Sequence, residues 1–147
     1  MSGLTLAQAS TIIDAALKTG REMNLAPLTV VVLDAGGHAV ALKREDRSGI
    51  MRVDIATGKA WGALGVGAGS RVLFERSEKQ PVFVTALAAV SQGRMVPVPG
   101  GVIVRGGTGD IIGAVGISGD LSDQDEACAV AGIEAAGLKA QTGAPAA

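Results

Sequence analysis

The sequence predicts an α/β sandwich, of the α+β kind, in which antiparallel strands form one layer and helices segregate from them; it is not a doubly wound parallel sheet. Three observations predict this. Two runs of β-branched residues each return through a tight Gly-rich turn, and short hairpins imply antiparallel pairing. Each hairpin, within residues 30–68 and 102–137, leads into a helical pattern, so the two segments share a design without a residue repeat. A further amphipathic helix precedes the first strand, which places a helix at each end of the chain to cover the sheet.

Residues 4–24 read as the first helix. Thr5 caps it and Gln8, three residues on, completes a capping box. Leu6, Ala9, Ile13, Ala16, Leu17 and Met23 recur at helical spacing on one face, with Asp14, Lys18, Arg21 and Glu22 on the wet side. Pro27 stops any continuation. Residues 29–33 form a buried strand, Asp34-Ala35-Gly36-Gly37 turns the chain, and residues 38–43 alternate as the returning strand. Residues 50–68 read as a second helix, with Ile55, Trp61, Ala63 and Leu64 as apolar positions. Its glycines each cost about 1 kcal/mol relative to alanine, so packing must hold it.

Pro81 divides residues 71–90, and residues 82–90 read as a short helix. A loop over 96–101 enters a strand at 102–105, Gly106-Gly107-Thr108-Gly109 turns, and residues 110–118 return. Gly113 and Gly116 in that return allow a backbone or ligand to approach closely. Ser122 caps a last helix over 122–139, and Asp123, Asp125 and Glu126 favour its N-terminal dipole. From about residue 140 the chain reads as a frayed, disordered tail.

The 147 residues fit one domain over 1–147. With 48% hydrophobic and 18% charged residues, the chain belongs among ordered globular proteins. Trp61, Phe74 and Phe83 are the only aromatics, so Ala, Val, Ile and Leu must build the core. Small side chains bury little area each, which favours further burial between subunits and hence self-association. The net charge is -1 and basic residues alternate with acids, as in Lys43-Arg44-Glu45-Asp46-Arg47. No basic stripe or aromatic platform exists for nucleic acid, which excludes that partner class. No stretch is apolar enough to span a membrane, and the first ten residues lack the pattern of a secretory signal; the expectation is a cytoplasmic protein.

Chemistry has few candidates. Haem or a metal needs an imidazole or soft ligand, and His38, just after the Gly-Gly turn, is the only histidine. Its ordinary role would be a polar hairpin residue. Met51, Met95, Met23 and Cys128 are further conceivable axial ligands, with Met23 and Cys128 better read as core filling. A solitary Cys128 excludes an intrachain disulfide and a Cys-based metal cluster, and ligand count excludes a His–Cys zinc site. Lys59 lies in the Gly/Ala-rich helix beside Trp61, with Arg52 and Asp54 earlier on it; it would offer a point charge to a carboxylate, or simply lie on a solvated face. Gly65-Val66-Gly67-Ala68-Gly69 ends a helix instead of opening one, so a dinucleotide fingerprint fails on context. Gly100-Gly101 at a strand entrance would free two backbone N–H groups for an anion, or serve only turn geometry. Asp120, Asp123, Asp125 and Glu126 form an acidic cluster that helix capping explains.

Four motifs in order, VVVLDAGGHAVAL at 30–42, IATGKAWGA at 55–63, PGGVIV at 99–104 and IGAVGISGDLSDQD at 112–125, resemble the GlcG/HbpS haem-binding family, to which the C-terminal domain of the PduO corrinoid adenosyltransferases is related. The resemblance runs from Leu4 to about Gly137. It implies a central antiparallel sheet of about five strands flanked by helices, similar to profilin or PAS domains, and homo-oligomers. Gly100-Gly101 is followed here by Val102-Ile103 where the family has Pro-Ile, and Gly116-Ile117-Ser118-Gly119-Asp120 departs from its Gly-Val-Ser-Gly-Gly.

Three functions follow from residues and resemblance together. The first is a small-molecule-binding protein that binds or degrades haem, with His38 as metal ligand or its neighbour and Lys59 on a propionate. The second is an enzyme of catabolism acting on a small oxo- or hydroxy-carboxylic acid, with His38 and Lys59 catalytic and Arg52, Lys59, Gly100 and Gly101 holding the carboxylate. The third is a sensory oligomer without catalysis. The first two place a small anionic ligand where the His38 turn, the Arg52–Lys59 helix and the Gly100-Gly101 entrance converge, within one subunit or across two.

Overall fold

The protein is described here by a computed structural model covering residues 3–144. In chain order its elements are α1 (Leu6–Glu22), β1 (Thr29–Asp34), β2 (Ala39–Arg44), α2 (Arg52–Val66), α3 (Ser70–Lys79), α4 (Pro81–Val90), β3 (Gly101–Arg105), β4 (Ile111–Ser118), α5 (Ser122–Ala135) and β5 (Lys139–Gln141). The strands form one sheet in the order β2-β1-β4-β3-β5, with every pairing antiparallel.

The sheet has a helical layer on each face, and the sequence of β1 shows why. An interior strand covered on both sides is apolar at successive positions instead of alternating. Val30 and Val32 pack with α1 and α5 against Ile12, Ile13, Cys128 and Ile133, while Val31 and Leu33 pack with α2 against Ala56, Ala60 and Ala63. The alanines let α2 approach the sheet closely; at Gly116 of β4 a Cβ would overlap the Ala56 carbonyl. By contrast, β2 lies at an edge and is largely exposed, with Lys43 and Arg44 guarding the open strand.

The Thr5–Gln8 capping box forms with both reciprocal bonds at 3.0 Å. The buried stripe of α1 is Ala9, Ile12, Ile13, Ala16 and Gly20; Leu6 and Met23, expected on it, are exposed at its two ends. Ser122 does not cap α5. Leu121 holds that position without a side-chain cap bond, and Ser122 is the first helical residue. The helix stops at Ala135, before a left-handed Gly137, and not at 139. Lys139–Gln141 then pairs with β3, so the tail expected from residue 140 begins inside a strand; residues 145–147 lie outside the described residues.

The segment before Pro81 is also helical, which its mixed charges conceal from a search for apolar periodicity. α3 and α4 abut at Pro81, the first residue of α4, and pack beside α2 through Leu73, Val84 and Met95. Only Val84 of the apolar α4 is buried. No helix among the described residues is long and apolar enough to cross a membrane.

Candidate functional site

Arg52, Lys59, Gly100 and Gly101 come together where β1 begins and β4 ends. Arg52 Nη1 donates to Ser118 Oγ at 3.0 Å. Seven residues on, Lys59 leaves the Gly/Ala face of α2 and is 2% exposed. It is therefore no solvated surface group. Its Nζ donates to the Ile117 carbonyl at 2.8 Å and lies 3.2 Å from Asp125 Oδ2. The other Asp125 oxygen accepts from the Asp120 N–H at 3.0 Å. Burial pushes the Lys59 pKa down and the Asp125 pKa up, and each is partly held back by the other's charge.

The two glycines pack against this pair. Gly100 has φ +121°, and a Cβ there would lie 2.9 Å from Lys59 Nζ; a Cβ at Gly101 would overlap the Lys59 carbonyl. The Gly101 N–H, expected to await an anion, already donates to Ser70 Oγ at 2.8 Å. Close approach of α2 thus accounts for both glycines. The acidic cluster is also engaged in structure. Asp123 and Glu126 pair with Arg71, while Asp120 accepts from the Ala26 and Leu121 N–H groups at 2.8 Å. Among the described residues no group of three or more His, Cys, Asp or Glu side chains is arranged to hold a metal ion.

His38 is elsewhere. β1 runs from Thr29, opposite Ser118, to Asp34, opposite Gly113. The step from Val30 to Asp34 alone spans roughly 13 Å at strand rise, so within one chain His38 does not join the Lys59 group. Its side chain is 81% exposed, with Nδ1 3.3 Å from Asp34 Oδ1. That carboxylate oxygen is fixed by the His38 and Gly36 N–H groups at 3.0 and 2.9 Å. The amide of His38, above all, holds the Asp34 carboxyl below the usual range. Nε2 of His38 has no partner among the described residues.

The same turn touches a residue that sequence reasoning treated only as a helical apolar position. A Cβ on Gly37 would stand 3.1 Å from Trp61 Cδ1 and Nε1. The Arg94 guanidinium stacks 4.4 Å from the Trp61 ring. Trp61 also lines a cleft of about 180 Å³ with Val66, Leu87, Val90 and Met95. The available signal was that Trp61 is the sole tryptophan, one turn before Gly65. Of the other conceivable ligands, Met51 is exposed, Met95 is buried beside Leu73, and Cys128 is fully buried. Burial raises the Cys128 thiol to about 11, which disfavours the thiolate that binds metals.

The comparison with known proteins decides the family. The sequence profile described as haem degrading protein HbpS-like matches residues 4–134. The chain belongs to the HbpS-like family. A 15.0 kDa protein from the dhaT–dhaS intergenic region of Citrobacter freundii is 29% identical over 133 residues, covering 89% of this chain and 90% of that one. Among solved structures, PduOC in complex with haem superposes with a TM-score of 0.83 at 25% identity, covering 96% of this chain and 99% of that one. The Klebsiella pneumoniae protein ORFY gives 0.84 at 28% identity, covering 93% and 92%. HbpS gives 0.78 at 25% identity, covering 91% and 90%.

Proposed function

We propose that this HbpS-like chain binds haem, with His38 as an axial ligand. The observation that carries this is the Asp34–His38 pair. A metal-ligating imidazole usually presents one ring nitrogen to a carboxylate or carbonyl and the other to the metal, and the carboxylate fixes the ring and raises its basicity. Asp34 stands 3.3 Å from Nδ1 on a tight turn, and Nε2 is left for iron. Haem supplies redox-active iron when bound; this chain supplies the ligand and its orientation.

The turn offers haem only one side, so we propose that a second copy completes the site. Arg52, separated from His38 within one chain, would meet a propionate only from that copy, while Gly100 and Gly101, buried against Lys59, take no part. Self-association is supported by the start of α4, where Val82 is 82% and Phe83 46% exposed. Lys59 is occupied by Asp125, so the propionate role passes to Arg52, which keeps donors beyond Ser118.

Titrating haem into the protein should produce a Soret band shifted from that of free haem. His38→Ala should abolish the shift without changing far-ultraviolet circular dichroism. An unchanged Soret response in His38→Ala would remove His38 as ligand, and no response in the parent chain would remove the haem reading. Sedimentation of a monomer at micromolar concentration, with and without haem, would exclude the second copy.

A further inference from the structure

The cleft at Trp61 has its own logic. Its floor is the backbone of α2 at Gly62 and Gly65. Gly62 is explained by packing, since a Cβ there would press on Leu73 and Met95 at 3.0 and 3.1 Å. Gly65 is not. Its nearest neighbour to an added Cβ is Trp61 at 3.8 Å, ordinary contact distance, so packing in the last turn of α2 does not require a glycine there. The missing side chain leaves room beside the indole, and none of the described residues fills it.

The volume limits what can enter. About 180 Å³ is far below the 300–1,000 Å³ typical of pockets for drug-sized ligands, and so too small to enclose haem. An apolar cavity of about 150 Å³ holds benzene. A single six-membered ring fits. The side chains of the walls are apolar apart from Ser91, and the indole presents its benzo edge, at Cζ3, beside Gly65. At the edge, Arg94 lies over the same indole and its Nε donates to the carbonyl of Ser91, a lining residue, at 2.9 Å. Among the described residues its terminal guanidinium nitrogens meet no acceptor. Nη1 and Nη2 are therefore left to make a paired hydrogen bond with a carboxylate at the cleft's edge.

We infer that the cleft between α2 and α4 is a second ligand site, which takes a single-ring aromatic carboxylate with its ring against Trp61 and Gly65 and its carboxylate on Arg94. The site uses neither His38 nor iron, and so stands apart from the haem reading. Stacking on Trp61 rewards a planar ring, and Arg94 rewards the anion.

Trp61 is the only tryptophan and the chain has no tyrosine, so intrinsic fluorescence reports this cleft directly. Benzoate titrated into haem-free protein should change Trp61 emission saturably, while acetate at the same ionic strength should not. Gly65→Leu should abolish the response by filling the cleft, and Arg94→Gln should weaken it about tenfold or more, the loss expected for a charge-assisted bond. The haem Soret shift of both variants should match the parent. Should Gly65→Leu fail to fold, Arg94→Gln, at an exposed position, decides the matter. Linear, unsaturated quenching by benzoate, full binding in folded Gly65→Leu, or unchanged affinity in Arg94→Gln would each overturn the proposal.

Discussion

The two acid–base pairs at opposite ends of the sheet, Lys59–Asp125 and His38–Asp34, have similar separations of 3.2 and 3.3 Å and opposite uses. In the first, side-chain exposure is 3% and 0%, and a carbonyl and an amide occupy further polar atoms of the pair. In the second, exposure is 81% and 42%, and one imidazole nitrogen is unspent. A buried pair with its hydrogen bonds filled joins α2 to β4 and α5, whereas an exposed pair with one side unfilled can meet a ligand. The difference teaches that residue type did not settle role here. Lysine and histidine both suited an anionic ligand or a proton transfer, and burial separates them.

The largest expected effect tests the buried pair. Lys59→Met leaves the Asp125 carboxyl in an apolar site, and losing one partner of a buried pair costs about 3–5 kcal/mol. Replacing both, as Lys59→Met with Asp125→Leu, should recover most of that, because the desolvation cost of both charges disappears together. Urea unfolding of the three proteins measures this. A single-variant loss under about 1 kcal/mol, the ceiling for exposed pairs, would erase the contrast between the two ends.

The exposed pair should respond in binding instead of stability. Asp34→Asn keeps the turn's shape but removes the charge behind the imidazole, and haem affinity should fall about 10–100-fold, as for other residues that orient a metal ligand. Urea midpoints should move little by comparison. Equal haem affinity in Asp34→Asn would show that the carboxylate serves the turn alone, through its bonds to the Gly36 and His38 amides.

Much of the fold was legible because its signals are local. The Thr5–Gln8 box, the hairpin turns and the unbroken apolar run of β1 all carry their cause within a few residues. α3 was not legible, since Glu75, Arg76, Glu78 and Lys79 cover an exposed helix that buries only Ser70 and Leu73. β5 was hidden because three residues of Lys-Ala-Gln gain strand geometry only from β3. At the candidate site, complementarity to an anion predicts the meeting of Lys59 with Gly100 and Gly101; the structure brings them together by close packing instead, with the Gly101 amide bonded to Ser70. Its partner Asp125 lies 66 positions away and read as one acid among four near a helix start. The distance of His38 from that group depends on strand register, which no residue of the turn encodes.

Arg71 provides an intermediate case. Its side chain is 35% exposed and it joins Asp123 and Glu126, exposed at 77% and 13%; together the acids hold its guanidinium firmly protonated. Arg71→Ala should cost about 0.2–1 kcal/mol, the range for exposed pairs. Added salt should shrink the difference from the parent, because exposed charges are screened and the Lys59–Asp125 pair is not. A salt-independent loss would place Arg71 with the buried pair.

The smallest effect concerns Cys128, which borders the buried end. Burial, and next the Asp125 charge, raise its thiol from 9.0 to about 11. A raised acid binds its proton more tightly in the folded chain than in the unfolded one. Its contribution is therefore complete below pH 9.0 and is lost as pH rises through about 11. Lysine deprotonation overlaps this window, so the parent's alkaline slope alone cannot identify the thiol. Cys128→Ala resolves it by difference: the variant loses a packed sulfur at every pH, but its deficit relative to the parent should narrow between pH 9 and 11, where only the parent has a thiol to ionise. Urea midpoints at steps across that range measure the narrowing. A deficit constant with pH would mean that the thiol ionises alike in both states and that the core around Asp125 is wetter than its full burial indicates.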